Sequence, residues 1–122
     1  MPILVNSADL PDEPCRGPVW SIAEPDRQLD TNLIRLPAGD EIPAHRGAEV
    51  DTLIHVTRGS GMLATDEGEH SLRTGDVAFL RRRSVRGFRA GPDGLEYLTV
   101  HRSRGGLGIG SGPPEREGLQ SP

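Results

Sequence analysis

The sequence predicts an all-β domain, a sandwich or barrel of short strands, and three observations predict it. Sixteen glycines and eleven prolines punctuate 122 residues; both residue types are poor in helix interiors and common in turns. Short alternating or apolar segments recur through the middle of the chain, separated by turn signals at the spacing of an all-β fold. No segment carries sustained helical periodicity between capping residues.

The elements follow in order. Residues 1–18, rich in proline and acid, read as an N-terminal arm. Residues 19–23 form the first strand and 29–36 the second, closed by Pro37-Ala38-Gly39. A strand at 51–58 stops at Gly59-Ser60-Gly61, and 62–65 continues to a polar turn at Asp66-Glu67-Gly68. Strands at 69–73, 77–80 and 85–90 come next, and Gly91-Pro92-Asp93-Gly94 is a strong turn signal. Residues 95–102 form the longest β-like stretch. That makes about eight strands within a barrel spanning 19–104, followed by a flexible tail at 105–122 that the core can spare.

The core must be built from Leu, Ile, Val and Ala, because the aromatics are only Trp20, Phe79, Phe88 and Tyr97. The net charge of −4 and the interspersed signs exclude a nucleic-acid footprint, which needs a clustered basic excess. Arg81-Arg82-Arg83 is the one basic run. Lysine is absent, so Schiff-base chemistry has no amine to use. Cys15 is the single cysteine, which leaves no intrachain disulfide. Residues 1–10 lack a basic n-region and an apolar h-region. No apolar run approaches the roughly 20 residues that span a bilayer. A cytoplasmic protein with no membrane partner is expected.

Spacing then adds a resemblance. Gly39 is followed after five residues by His45, and Gly59 and Gly75 stand further on with Gly75-Asp-Val-Ala-Phe-Leu around the last. This resembles the two motifs of the cupin family, G-x5-H-x-H-x3–4-E-x6-G and G-x5-P-x-G-x2-H-x3-N, over roughly residues 29–102. The resemblance implies a cupin double-stranded β-helix, or jelly-roll barrel, and a homodimer.

The departures carry the functional expectation. The four positions at which metal-binding cupins place two His, a Glu and a His read His45, Gly47, Thr52 and Arg86. Gly47 has no side chain, Thr52 offers a neutral hydroxyl, and Arg86 is a permanent cation without a lone pair. No metal and no other cofactor is therefore expected. A shifted register would put Asp51 at the Glu position and recruit His55 or His101. Asp51 and His55 are four residues apart on a strand, about 13 Å, too far to share one ion.

The resemblance points His45, Thr52 and Arg86 into the barrel as ligand-binding candidates. An inward arginine must meet an acid of the protein, water at an open mouth, or an anionic ligand. Asp30, Glu41, Glu49 and Asp51 are the candidate acids, and an internal salt bridge in the free protein is expected. Arg86 with His45 is the alternative, an anion site suited to carboxylate or phosphate. His55 is expected to be structural, on the face opposite Thr52, while the face of His101 stays open. The leading function is a metal-independent cupin that binds a small, anionic organic molecule. An enzymatic version would use His45 as general acid or base and Arg86 to hold an oxyanion, but no second acid–base partner is evident. A metal-dependent dioxygenase or isomerase with a rearranged site, and an interaction module with no site, are the alternatives.

Overall fold

A computed structural model describes residues 2–12 and 15–103. Seven strands carry the fold: β1 (Gly17–Ser21), β2 (Leu29–Leu36), β3 (Glu41–Arg46), β4 (Thr52–Thr65), β5 (Gly68–Arg73), β6 (Val77–Leu80) and β7 (Val85–Arg102). A single 3-10 turn at Ser7–Asp9 precedes them, with the Asn6 side chain accepting from the Ala8 amide. No helix of the described residues is long and apolar enough to cross a membrane.

The architecture rests on two long bent strands. β4 and β7 pair antiparallel along their whole lengths, and the register breaks where Gly59 faces Leu95 but Gly61 faces Ala90. One residue of β4, Ser60, therefore stands against four of β7, 91–94. Such a bulge bends both strands. The early half of β4 and the late half of β7 form one layer with β1, β2 and β6. The other halves form a second layer with β3 and β5. This is a jelly-roll barrel, open along two seams: β1 and β2 against β3, and β5 against β6.

Two expectations change here. The turns placed at 59–61 and 91–94 are corners within continuous strands, so the eight expected strands become fewer and longer. The strand at Glu41–Arg46 was not expected, since Pro43 and a broken alternation hide it. It lies at the edge of its layer, where proline is tolerated. The tail at 105–122 lies outside the described residues.

The core fills the space between the layers. Ile34, Leu36, Ile54, Val56, Leu63, Leu72, Leu80, Phe88, Ala90, Leu95 and Tyr97 form one buried cluster. Phe88 from one half of β7 stacks on Tyr97 from the other, with centroids 4.6 Å apart and planes 13° from parallel. The corner at 91–94 folds β7 so that these two rings meet.

Candidate functional site

The site begins with a bulge in β3. Ile42 faces Phe88 and His45 faces Arg86, so two residues, Pro43 and Ala44, stand against one, Gly87. Side chains on a strand alternate between faces. Under strict alternation His45, three residues after Ile42, would point away from the barrel; the bulge puts it on the face of Ile42. Gly87 permits the bulge, because a Cβ there would lie 2.8 Å from the Ala44 Cα and backbone nitrogen.

Arg86 sits opposite His45 and is wholly buried. Its guanidinium lies over Gly47, where an added Cβ would fall 2.2 Å from Cζ. The missing side chain at 47 and the long one at 86 are thus two halves of one packing arrangement. The turn after β6 holds the guanidinium: Nε donates to the Ser84 carbonyl at 2.9 Å, and Nη2 donates to the Arg81 carbonyl at 3.0 Å and to Ser84 Oγ at 3.1 Å. Arg83 takes φ 60° in that turn, at the place where the cupin motif has glycine, and its amide donates to the Ala48 carbonyl at 2.8 Å. Burial lowers the Arg86 pKa from its ordinary value by desolvation.

The expected internal salt bridge is corrected. Among the described residues Arg86 pairs with no carboxylate. Asp30 is held by Arg27 at 2.6 Å, Asp51 by Arg82 at 3.2 Å and Glu49 by Arg83 at 2.9 Å. The Arg82 amide also donates to Asp51 at 2.8 Å. The arginines of the basic run capture the nearby acids at the surface, where an ion pair costs less desolvation than one inside. Arg86 is left with backbone dipoles.

Two nitrogens then stand without a protein partner, both buried: Arg86 Nη1 and His45 Nε2. The other ring nitrogen of His45, Nδ1, lies 3.0 Å from the Pro43 carbonyl oxygen. Tyr97, fully buried, has its hydroxyl unpartnered as well. Burial raises the Tyr97 pKa, with the positive charge of Arg16 acting in the opposite sense. A cavity of about 350 Å³ opens at the seam between β1, β2 and β3, lined by Arg16, Ile34, Leu36, Ile42 and Pro43 and reaching His45. Arg16, from the segment read as an arm, closes that seam by donating to the Glu41 carbonyl at 2.9 Å and pairing with Asp40 at 3.4 Å.

The remaining candidates fall elsewhere. Thr52 is buried on the inner face with Ile54 and Val56, and its hydroxyl donates to the Val50 carbonyl at 3.4 Å; no hydrogen bond ties it to His45 or Arg86. His55 is exposed on the opposite face, as expected. His101 lies on the inward face of β7 with Leu95, Tyr97 and Thr99, its Nδ1 2.9 Å from the Arg102 carbonyl oxygen. Arg16, which lines the cavity, was missed as a site residue. Nothing local in the sequence marks it, because the chain reversal that brings it there is a long-range feature.

The divalent metal that the cupin motifs imply does not fit these residues. His45 supplies one ligand, Arg82 engages Asp51, and the guanidinium of Arg86 lies over Gly47. Among the described residues no three His, Cys, Asp or Glu side chains converge as a ligand set.

Comparison with known proteins agrees with the fold. Residues 45–103 match the model of the AraC-like ligand binding domain. A sugar phosphate isomerase of the cupin superfamily from Silicibacter pomeroyi is 28% identical, with a TM-score of 0.57, over 62% of this chain and 51% of that one. This chain therefore spans about half the length of that isomerase. The Cnp3 cupin domain of Schizosaccharomyces pombe aligns over 82% of this chain and 66% of its own, at 13% identity and a TM-score of 0.62. A cupin protein from Bacteroides fragilis aligns over 72% of this chain and 79% of its own, at 20% identity and a TM-score of 0.57. No curated protein matches the sequence.

Proposed function

We propose that this chain, a small protein with the cupin fold, binds a small organic anion inside its barrel on Arg86 and His45, without a metal. The observation that carries the reading is a wholly buried guanidinium with no acid beside it and an unused Nη1. Of its five N–H groups, the three hydrogen bonds to Ser84 and Arg81 engage Nε and Nη2. A buried charge met only by dipoles favours a counter-charge. The similarity to a ligand binding domain supports a small-molecule role. The substrate named for the Silicibacter pomeroyi isomerase, a sugar phosphate, is itself an anion.

A thermal-shift screen of small organic acids and inorganic phosphate on the natural protein and on Arg86→Met tests this. At about 100 times the Kd, a ligand selective for the folded state adds about 2.7 kcal/mol of stability. At least one anion should stabilise the natural protein and leave Arg86→Met unmoved. A screen in which no anion discriminates between the two proteins sinks the reading.

We also propose a homodimer. Leu53, Val77 and Phe79 are exposed on the outer face of the layer that holds β4 and β6, and Leu53 stands opposite Phe79. An apolar row on an open sheet face supports contact between two copies. Sedimentation equilibrium should return twice the mass of one chain; the mass of a single chain would count against pairing.

A further inference from the structure

We propose that the anion is a 2-hydroxy acid with an apolar side chain: a carboxylate, a hydroxyl on the adjacent carbon, and a branched or aromatic body. The proposal rests on the anion reading and adds which anion the site selects.

The two unpartnered nitrogens make opposite demands. Arg86 Nη1 carries only hydrogens and needs an acceptor. The Pro43 carbonyl can only accept, so the His45 nitrogen beside it, Nδ1, donates to it. In the neutral ring Nε2 is then a bare lone pair and needs a donor. A plain carboxylate meets the first demand and sets an oxygen without hydrogen against the second. A carboxylate with a neighbouring hydroxyl meets both: the carboxylate accepts from Nη1 and the hydroxyl donates to Nε2. His45 and Arg86 are paired across β3 and β7, a register that sets Cβ atoms about 5 Å apart; of the two only His45 lines the cavity, so the hydroxyl end would sit at His45 and the carboxylate would reach past it to Nη1.

The cavity makes a third demand. Beyond His45 its wall is Ile34, Leu36, Ile42 and Pro43, which suits an apolar side chain. Its volume of about 350 Å³ is near the small end for ligand pockets. The cation at its outer side, Arg16, is already engaged by Asp40 and the Glu41 carbonyl. The site therefore does not ask for a second carboxylate.

Calorimetric titration of the full chain at mildly alkaline pH tests this with four probes: 2-hydroxy-4-methylpentanoate, 4-methylpentanoate, 2-hydroxy-4-methylpentanamide and glycolate. The hydroxy acid should bind about tenfold more tightly than the acid lacking the hydroxyl, the value of one buried hydrogen bond. The amide and glycolate should both bind more weakly than the hydroxy acid. In His45→Leu the preference for the hydroxyl should vanish while the plain acid still binds. Equal binding of the two methylpentanoates, or a hydroxyl preference that survives in His45→Leu, overturns the proposal and leaves the anion reading standing. Failure of every acid to bind overturns both. The probe series on the natural protein stands on its own if the variant does not fold.

Discussion

Two arginines of this barrel, Arg35 partly buried and Arg86 wholly buried, live in contrasting surroundings. Arg35 on β2 faces Glu96, whose side chain is only 3% exposed. Arg35 donates to one oxygen of that carboxylate from Nε at 3.0 Å and from Nη2 at 2.8 Å. The other oxygen accepts from the Thr57 hydroxyl at 2.7 Å and lies 3.7 Å from Arg58 Nε. Arg35 Nη1 closes the arrangement by donating to the Pro11 carbonyl. Charge there is met by charge. Arg86 is at least as deeply buried, yet it is met only by carbonyls and a hydroxyl. The difference teaches that burial alone does not decide how an arginine's charge is met. What matters is whether the fold also supplies its acid.

The comparison is easiest to break at Glu96. Glu96→Gln strands the Arg35 cation and should cost about 3–5 kcal/mol, as does removing one member of a buried pair. Arg86→Met strands no charge. The Ser84 and Arg81 carbonyls it releases still accept from the Gly47 amide at 2.9 Å and the Ser84 amide at 3.1 Å. Its cost should be about 1–2 kcal/mol, the range of an ordinary core change. Urea unfolding of both variants decides; equal losses would mean that Arg86 has a hidden acid and that the contrast is false.

The next effect sharpens the account of Gly47. Gly47→Ala drives a methyl into the guanidinium and should cost about 1–3 kcal/mol, as overpacking does. In an Arg86→Ala background that cost should largely disappear, giving a coupling of about 1 kcal/mol or more in the double-mutant cycle. Additive losses would show that 47 and 86 do not share one space.

The smallest effect concerns Tyr97, the only tyrosine. Its hydroxyl is unpartnered, so Tyr97→Phe should change stability by less than about 1 kcal/mol at neutral pH. Burial places its folded pKa above the ordinary value of 10.0. The neutral phenol therefore contributes its full stability below about pH 10, and loses it as pH rises further. Tyrosinate absorbance should appear only together with alkaline unfolding. A folded protein that shows tyrosinate near pH 10 would have a water path to the ring.

Much of the fold was legible because the residues that build it act locally. The glycines that spaced the cupin motif, Gly39, Gly59 and Gly75, all take positive φ. The inward arginine was legible through the cupin resemblance, which implies that its motif position faces the barrel interior. The corners were not, because glycine and proline at 59–61 and 91–94 give the same local signal whether the chain reverses or merely bends. The partners of Arg86 were not legible either. Glu49 and Asp51 seemed available until folding set Arg82 and Arg83 beside them. Backbone carbonyls of the 81–84 turn, the groups that do hold Arg86, leave no trace in side-chain identity. Arg16 lay in a stretch with no strand pattern, and only tertiary structure brings it to the cavity.

The bulge at Pro43 and Ala44 makes the site a question of parity. Both side chains are exposed, so substitution at either position leaves the aim of His45 untouched. Straightening the strand inverts it: under strict alternation, with its period of two, the three-residue step from Ile42 to His45 ends on the opposite face. Ile42 would keep its place against Phe88, and the core would stay packed. A side chain at Gly87, which would crowd the bulge at Ala44, can thus turn His45 outward without altering His45, Arg86 or any residue between Ile42 and His45.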